Sequence, residues 1–216
     1  MLASPVLRRI LLAGVVVAVA QQLTGINAIM YYGQTVLVES GFSEAAALVA
    51  NVAPGVIAVV GGLVALWMMD RVDRRTTLLV GYGLTTACHL LIGLASVVLQ
   101  PGDAARPWVI LVLVVAFVGA MQTFLNVATW VVLSEVFPQR MRGLGIGVAV
   151  LLHWLTNGTL ALLFPSLLAG LGIGGAFLLF AGLGAAALAL IARAVPETRG
   201  RSLEGLEAAL AEPAGR

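Results

Sequence analysis

The chain has 216 residues, 61% of them apolar and 10% charged, with 25 glycines and a mean hydropathy of +1.05. A water-soluble chain carries about 25% charged residues, so a fold buried only in water is excluded and lipid is the solvent for most of this sequence. The 12 basic residues, all arginine, exceed the 10 carboxylates by a net +2, too little basic charge for nucleic acid to be a partner. Cys88 is the single cysteine, which excludes a disulfide framework and a cysteine-rich metal cluster.

Charge-free intervals set the architecture in chain order. Ile10 to Val38, Ala45 to Met69, Leu78 to Leu99 and Trp108 to Leu133 each meet the need for about 20 residues per helical span. A fifth interval, Gly143 to Ala192, holds 50 residues without a charge. As one helix it would run about 75 Å, more than a bilayer core about 30 Å thick hides, so it must fold back. Pro165 and the run Gly170, Gly172, Gly174, Gly175 mark the turn. The fold class is therefore an all-α membrane protein: one bundle of six transmembrane helices over residues 1–195, followed by a cytoplasmic tail over 196–216.

An even number of spans puts both ends on one side. Arg106 alone falls in loops of one parity and the other 11 arginines fall in the other parity, which places both termini in the cytoplasm by the positive-inside rule. Arg8, Arg9, a short apolar run and Ala18-Val19-Ala20 also fit a secretory signal peptide. Cleavage there would leave five spans and break the agreement of parity with charge, so the segment is read as a helix. After Pro196, Ser202 and Gly205 offer a helix start, Glu204 and Glu207 favour its first turns, and Leu203, Leu206 and Leu210 share a face. A short amphipathic helix on the cytoplasmic side is expected, with a solvated tail as the alternative.

Function becomes readable in the polar residues of the spans, because unpaired polar side chains in lipid are costly and face other helices or a wet cavity. The first span carries Gln21, Gln22, Thr24, Asn27, Tyr31, Tyr32 and Gln34. At about 100° per residue, Gln22 and Asn27 sit about 140° apart on a straight helix and cannot share one small ligand. Gly25, between them, predicts a break that lets them converge, as in discontinuous transporter helices. In the fourth span Gln122, Asn126 and Trp130 follow at i+4 spacing, and in the fifth His153 and Asn157 do the same with Trp154 beside them. Amides match vicinal hydroxyls by donating and accepting at once, and a flat aromatic covers the C–H face of a sugar ring. No charge sits in mid-span, which argues against an ionic substrate and against a carboxylate proton relay within this chain. Blander readings apply elsewhere: Asn51 as an interhelical hydrogen bond, Cys88 and His89 as packing with internal hydrogen bonding, and the pairs Gly143/Gly147 and Gly170/Gly174 as close contacts or bends.

At these residues the sequence resembles the sugar porters of the major facilitator superfamily. Gln21-Gln22-Leu23-Thr24-Gly25-Ile26-Asn27-Ala28-Ile29-Met30-Tyr31-Tyr32 is similar to the signature opening their seventh helix, and Asp70-Arg71-Val72-Asp73-Arg74-Arg75 to the loop after the eighth. Trp130 to Gly143, then His153-Trp154 with Asn157, then Pro196 to Glu204 continue the likeness in order. It covers the C-terminal half, helices seven to twelve. The resemblance implies that Gln21, Gln22 and Asn27 hydrogen-bond the sugar, that Trp130, His153, Trp154 and Asn157 border it, and that Tyr31 and Tyr32 form an extracellular gate. It further implies a cytoplasmic charge network of Asp70, Arg71, Arg75, Glu135, Arg142, Glu197 and Arg199 that latches the inner gate and breaks as two bundles rock.

Several positions depart from that pattern. His153 stands where relatives often have an amide, Ala58 where many glucose transporters have an asparagine that reaches the sugar, and Asp73 where the loop motif usually has glycine. Gln122 to Thr129 looks nearer to inositol or pentose porters than to the glucose branch. The proton-coupling carboxylate of such transporters resembles one carried by the first bundle, so no cofactor, metal site, catalytic residue or proton carrier is expected in this chain. The expectations are a multi-pass plasma-membrane protein, a sugar or cyclitol substrate, and an N-terminal six-helix half as partner, with truncation of a longer transporter favoured. An exporter of another small solute and a non-transporting membrane protein are the alternatives.

Overall fold

The computed structural model describes residues 5–195. The stretch expected to form an amphipathic tail helix and the residues Glu197 and Arg199 lie outside the described residues. Within them the chain is helical throughout: α1 (Pro5–Leu23), α2 (Ile26–Ser40), α3 (Glu44–Ala50), α4 (Val52–Met69), α5 (Arg74–Val98), α6 (Arg106–Ala120), a π-helical segment (Met121–Asn126), α7 (Val127–Val136) and α8 (Arg142–Ala194). Joined across their bends, these give five stretches long and apolar enough to cross a membrane: Pro5–Ser40, Glu44–Met69, Arg74–Val98, Arg106–Val136 and Arg142–Arg193.

The last stretch does not run straight. Gly172 interrupts α8 with φ 64° and ψ −179°, a conformation only glycine adopts without strain. Phe164 and Phe180, each eight positions from Gly172, would stand about 24 Å apart on a straight helix, yet their ring centroids are 6.1 Å apart. The chain therefore doubles back at Gly172, while Pro165 is carried inside the first arm. Of the glycines read as contacts, Gly174 packs on Gly93 of α5. Gly143, Gly147 and Gly170 would meet nothing within 4 Å, and it is Gly145 that lies against the Phe137 ring.

The first arm of α8 runs parallel to α1 and α2: His153 bonds to Ala18, Asn157 to Tyr31 and Ala161 to Tyr32. The second arm runs antiparallel to α5, with Gly184 against Thr86, Leu178 against Gly93 and Gly174 against Val97. Between them lies a core of buried aromatics, among them Tyr82, Phe117, Phe164, Phe177 and Phe180.

That packing order gathers one set of helix ends. At the end of α4 and the start of α5, an Arg74 Nη2 donates to Glu135 Oε1 of α7 at 3.1 Å, while Arg74 Nη1 bonds the Met69 carbonyl. Arg75 donates to the Ala192 carbonyl at 2.7 Å and Arg142 to that of Phe137 at 3.3 Å. The arginines thus cap helix C-terminal carbonyls, where the macrodipole favours positive charge. At the opposite end Ser43 caps α3, accepting from the Ala46 N–H, and Phe42 packs edge-on against Trp108 at 5.1 Å.

Candidate functional site

The first stretch breaks between α1 and α2, where Gly25 adopts φ 73° and ψ 15°. The Gly25 N–H turns back to the Gln22 carbonyl at 2.9 Å, and the Thr24 hydroxyl donates to the Gln21 carbonyl at 2.7 Å, so two carbonyls freed at the end of α1 are satisfied locally. The α2 ladder restarts on the Gly25 carbonyl, which accepts from the Ile29 N–H. A side chain at residue 25 is ruled out twice over. Its backbone lies in the left-handed region, and a Cβ would stand 2.7 Å from the Phe180 ring.

The break does what its position between two amides predicts. Asn27 Nδ2 donates to Gln22 Oε1 at 3.0 Å, joining side chains that a continuous helix would hold on divergent faces. Gln22 Nε2 in turn lies 2.7 Å from His153 Nε2, and His153 Nδ1 lies 3.0 Å from the Ala18 carbonyl. Gln22 and His153 are buried, while Asn27 is half-buried. Gln21 is only 4% exposed, and its Oε1 has no hydrogen-bond partner. Leaving such an acceptor unmet costs about 1–3 kcal/mol.

Around this relay stand the aromatics. The Trp130 ring lies 5.2 Å from His153, and Trp154 meets the same imidazole edge-on at 5.5 Å; both tryptophans are exposed. Asn157 Nδ2 reaches the Tyr31 hydroxyl at 3.5 Å. Tyr32, at a kink in α2, donates to the Ala161 carbonyl at 3.1 Å and stacks on Phe164. Gln22, Asn27, Trp130, His153 and Trp154 therefore form one cluster, with Tyr31 and Asn157 extending it along the first arm of α8.

Gln122 and Asn126 form a second pair, Asn126 Nδ2 donating to Gln122 Oε1 at 2.7 Å. The two are four positions apart, as the i+4 spacing expects. Met121–Asn126 is a π-helical turn, so this step is wound more widely than in a straight α-helix, while Asn126 to Trp130 follows the regular α7. The Thr24 hydroxyl, 3.7 Å from the Met121 sulfur, ties this segment to the end of α1. Asn51, read as an interhelical hydrogen bond, instead lies against the backbone at Gly33. His89 sits among Phe117, Phe177 and Phe180, which matches packing, but neither of its ring nitrogens has a hydrogen-bond partner.

In the charge network, Arg74 carries the ion pair with Glu135. The resemblance implies Arg75 in that network and not Arg74; Arg75 instead donates to the Ala192 carbonyl. Arg71 donates to the Trp67 carbonyl and stacks over its ring at 4.5 Å. Among the described residues no group of three His, Cys, Asp or Glu side chains could hold a metal ion.

Residues 1–210 match the family model described as "Sugar (and other) transporter". The chain belongs to this family. It is a family of transporters rather than enzymes, and with 5 stretches long and apolar enough to cross a bilayer this is an integral membrane protein. The chain is 46% identical over 206 residues to the major myo-inositol transporter IolT of Bacillus subtilis (strain 168), covering 95% of this chain and 43% of that protein. It is 37% identical over 214 residues to the glucose transporter GlcP of Staphylococcus epidermidis, covering 98% and 47%. The inward-open structure of the xylose transporter XylE from E. coli superposes with a TM-score of 0.79 at 27% identity, covering 93% of this chain and 41% of that one. This sugar-transporter-family chain thus spans less than half the length of the relatives it matches.

Proposed function

We propose that the chain is the C-terminal half of a transporter for a monosaccharide or cyclitol, supplying one wall of a cavity that alternates between the two sides of the plasma membrane. The observation that carries this reading is the Gly25 break, which brings Gln22 and Asn27 together and joins them through His153 to the exposed tryptophans Trp130 and Trp154. A polyol offers that surface vicinal hydroxyls for the amides and a C–H face for the indoles. Inositol, glucose and xylose carriers among the similar proteins support the same substrate class. Counting α8 as two spans on either side of Gly172 gives six crossings, and the positive-inside rule favours the cytoplasmic side for the arginine-rich ends. Alternating access then needs an N-terminal six-helix half to rock against. Arg74, Glu135, Arg75 and Arg142, with Asp70, Arg71, Glu197 and Arg199, form the inner latch.

The test is co-expression with the N-terminal half of a relative such as IolT, followed by radiolabelled uptake of myo-inositol, xylose and glucose into vesicles. Uptake is expected only from the assembled pair. Alanine at Gln22 or Asn27 should weaken it at least about tenfold, the equivalent of about 1.4 kcal/mol. Robust uptake by the chain alone overturns the half-transporter reading. Transport of an apolar drug unaffected by both alanine variants favours the exporter alternative.

A further inference from the structure

We propose that His153 is a positioning residue for this site: as the Nδ1–H tautomer it fixes the donor and acceptor directions of Gln22 and Asn27, and its protonation reverses them. The inference deepens, and rests on, the reading of the cluster as a polyol site.

The directions follow from one fixed point. A carbonyl oxygen can only accept, so the 3.0 Å contact between His153 Nδ1 and the Ala18 oxygen requires the proton on Nδ1. Ala18 lies inside α1, and its oxygen has a second lone pair beyond the one used by the helical bond. In neutral imidazole, Nε2 is then a bare acceptor, and the group 2.7 Å away must donate to it, which makes that group the amide nitrogen of Gln22. Gln22 Oε1 is thereby turned toward Asn27 and accepts from Nδ2 at 3.0 Å. Asn27 is left with its Oδ1 unspent, an acceptor offered to a ligand hydroxyl. Three side chains on three elements, α1, α2 and α8, thus take one consistent orientation set by a backbone oxygen.

Imidazolium cannot hold that arrangement. Both of its nitrogens donate, so an N–H would face the Gln22 amide N–H at 2.7 Å. The Gln22 amide must turn over, and Asn27 must follow, presenting Nδ2 where Oδ1 had been. The same protonation sets a positive charge in a site built for a neutral solute. The imidazole meets the Ala18 carbonyl oxygen, the Gln22 amide and the Trp130 and Trp154 rings, none of them ionisable near neutral pH. The titratable groups on the elements around it stand elsewhere along them: Arg8 and Arg9 on α1, Tyr31, Tyr32 and Glu39 on α2, Glu135 on α7, and Arg142 and Arg193 on α8.

The experiment has two arms on the chain co-assembled with an N-terminal half in lipid nanodiscs. The first is nitrogen NMR of protein labelled at histidine and glutamine side chains. His89 and His153 are the only 2 histidines, and the His153→Gln variant assigns the second. We expect a protonated Nδ1 and a bare Nε2 at neutral pH, and a change in the Gln22 side-chain amide signal that titrates together with His153. A protonated Nε2 in the neutral ring, or a Gln22 signal that stays fixed while His153 titrates, overturns the proposal. The second arm measures myo-inositol affinity against pH. Wild type should lose at least about tenfold, about 1.4 kcal/mol, as His153 takes up its proton. His153→Gln, whose amide both donates and accepts but does not titrate, should give a flat profile over that range. Equal profiles for the two proteins overturn the positioning role. An intact relay in the first arm with no binding of inositol, xylose or glucose at any pH leaves His153 orienting the amides and rejects the polyol reading instead.

Discussion

The Pro5–Ser40 and Glu44–Met69 stretches are successive apolar segments of 36 and 26 residues that solve opposite problems. In the first, 61% of the most apolar window is buried inside the protein, against 22% in the second. Pro5–Ser40 carries Gln21, Gln22, Thr24 and Asn27 and breaks at Gly25. The α4 portion of Glu44–Met69 holds no polar side chain from Val52 to Met69 and turns Val56, Val59, Leu63, Leu66 and Trp67 outward. Lipid satisfies the second stretch as it stands. The first needs other helices to cover its amides and freed backbone groups, and α8 supplies them through His153, Ala161 and Phe180. Polarity in a membrane helix therefore predicts its place in the bundle better than its hydropathy does.

The sharpest way to break that contrast is Gly25→Val. Left-handed backbone at a β-branched residue and a Cβ driven into the Phe180 ring should together cost about 2–5 kcal/mol, read as a large fall in thermal midpoint in nanodiscs with loss of sugar binding. The matched change on the second stretch, Gly62→Ala, meets nothing within 4 Å and should be neutral or stabilising by up to about 1 kcal/mol. If both glycines respond alike, burial does not separate the two stretches. Gln22→Ala should follow Gly25→Val in size, at about 1–3 kcal/mol, because it strands both the His153 nitrogen and the Asn27 amide; denaturant titration of the reconstituted protein reads it. Glu135→Gln should matter least, below about 1 kcal/mol, since this ion pair is partly exposed at 12% and 30% for its two side chains. Its signature is a conformational one: greater labelling of a cysteine placed at the arginine-rich end.

The break at Gly25 was legible because density and geometry pointed the same way. Two amides on divergent faces flank a glycine, and lipid gives neither a partner. The fold-back of the fifth interval was legible from length alone, but its place was not. Four glycines and a proline qualify, and only packing of Phe164 on Phe180 selects Gly172. The π-turn at Met121–Asn126 left no mark, since Met, Gln, Thr, Phe, Leu and Asn have no feature that distinguishes an extra residue in a helical turn. Gly61 opposite it, whose Cβ would stand 3.0 Å from Gln122 Cβ, shows that α4 fits against the π segment, a tertiary fact. Arg71, Arg74 and Arg75 fall within five positions, so a charge count places them at one end and cannot say which one faces Glu135. The hydrogen-bond direction through His153 was equally hidden, because it is decided by a carbonyl of α1 that no side-chain pattern records.

The turn at Gly172 has a bearing on how the chain is made. Between Gly143 and Ala192 there is no charged residue to orient a nascent helix. Any orienting charge for this segment therefore comes from Arg140 and Arg142 before it and Arg193 after it. A single charge introduced near Gly172 would act first on biogenesis, before any effect on the finished protein.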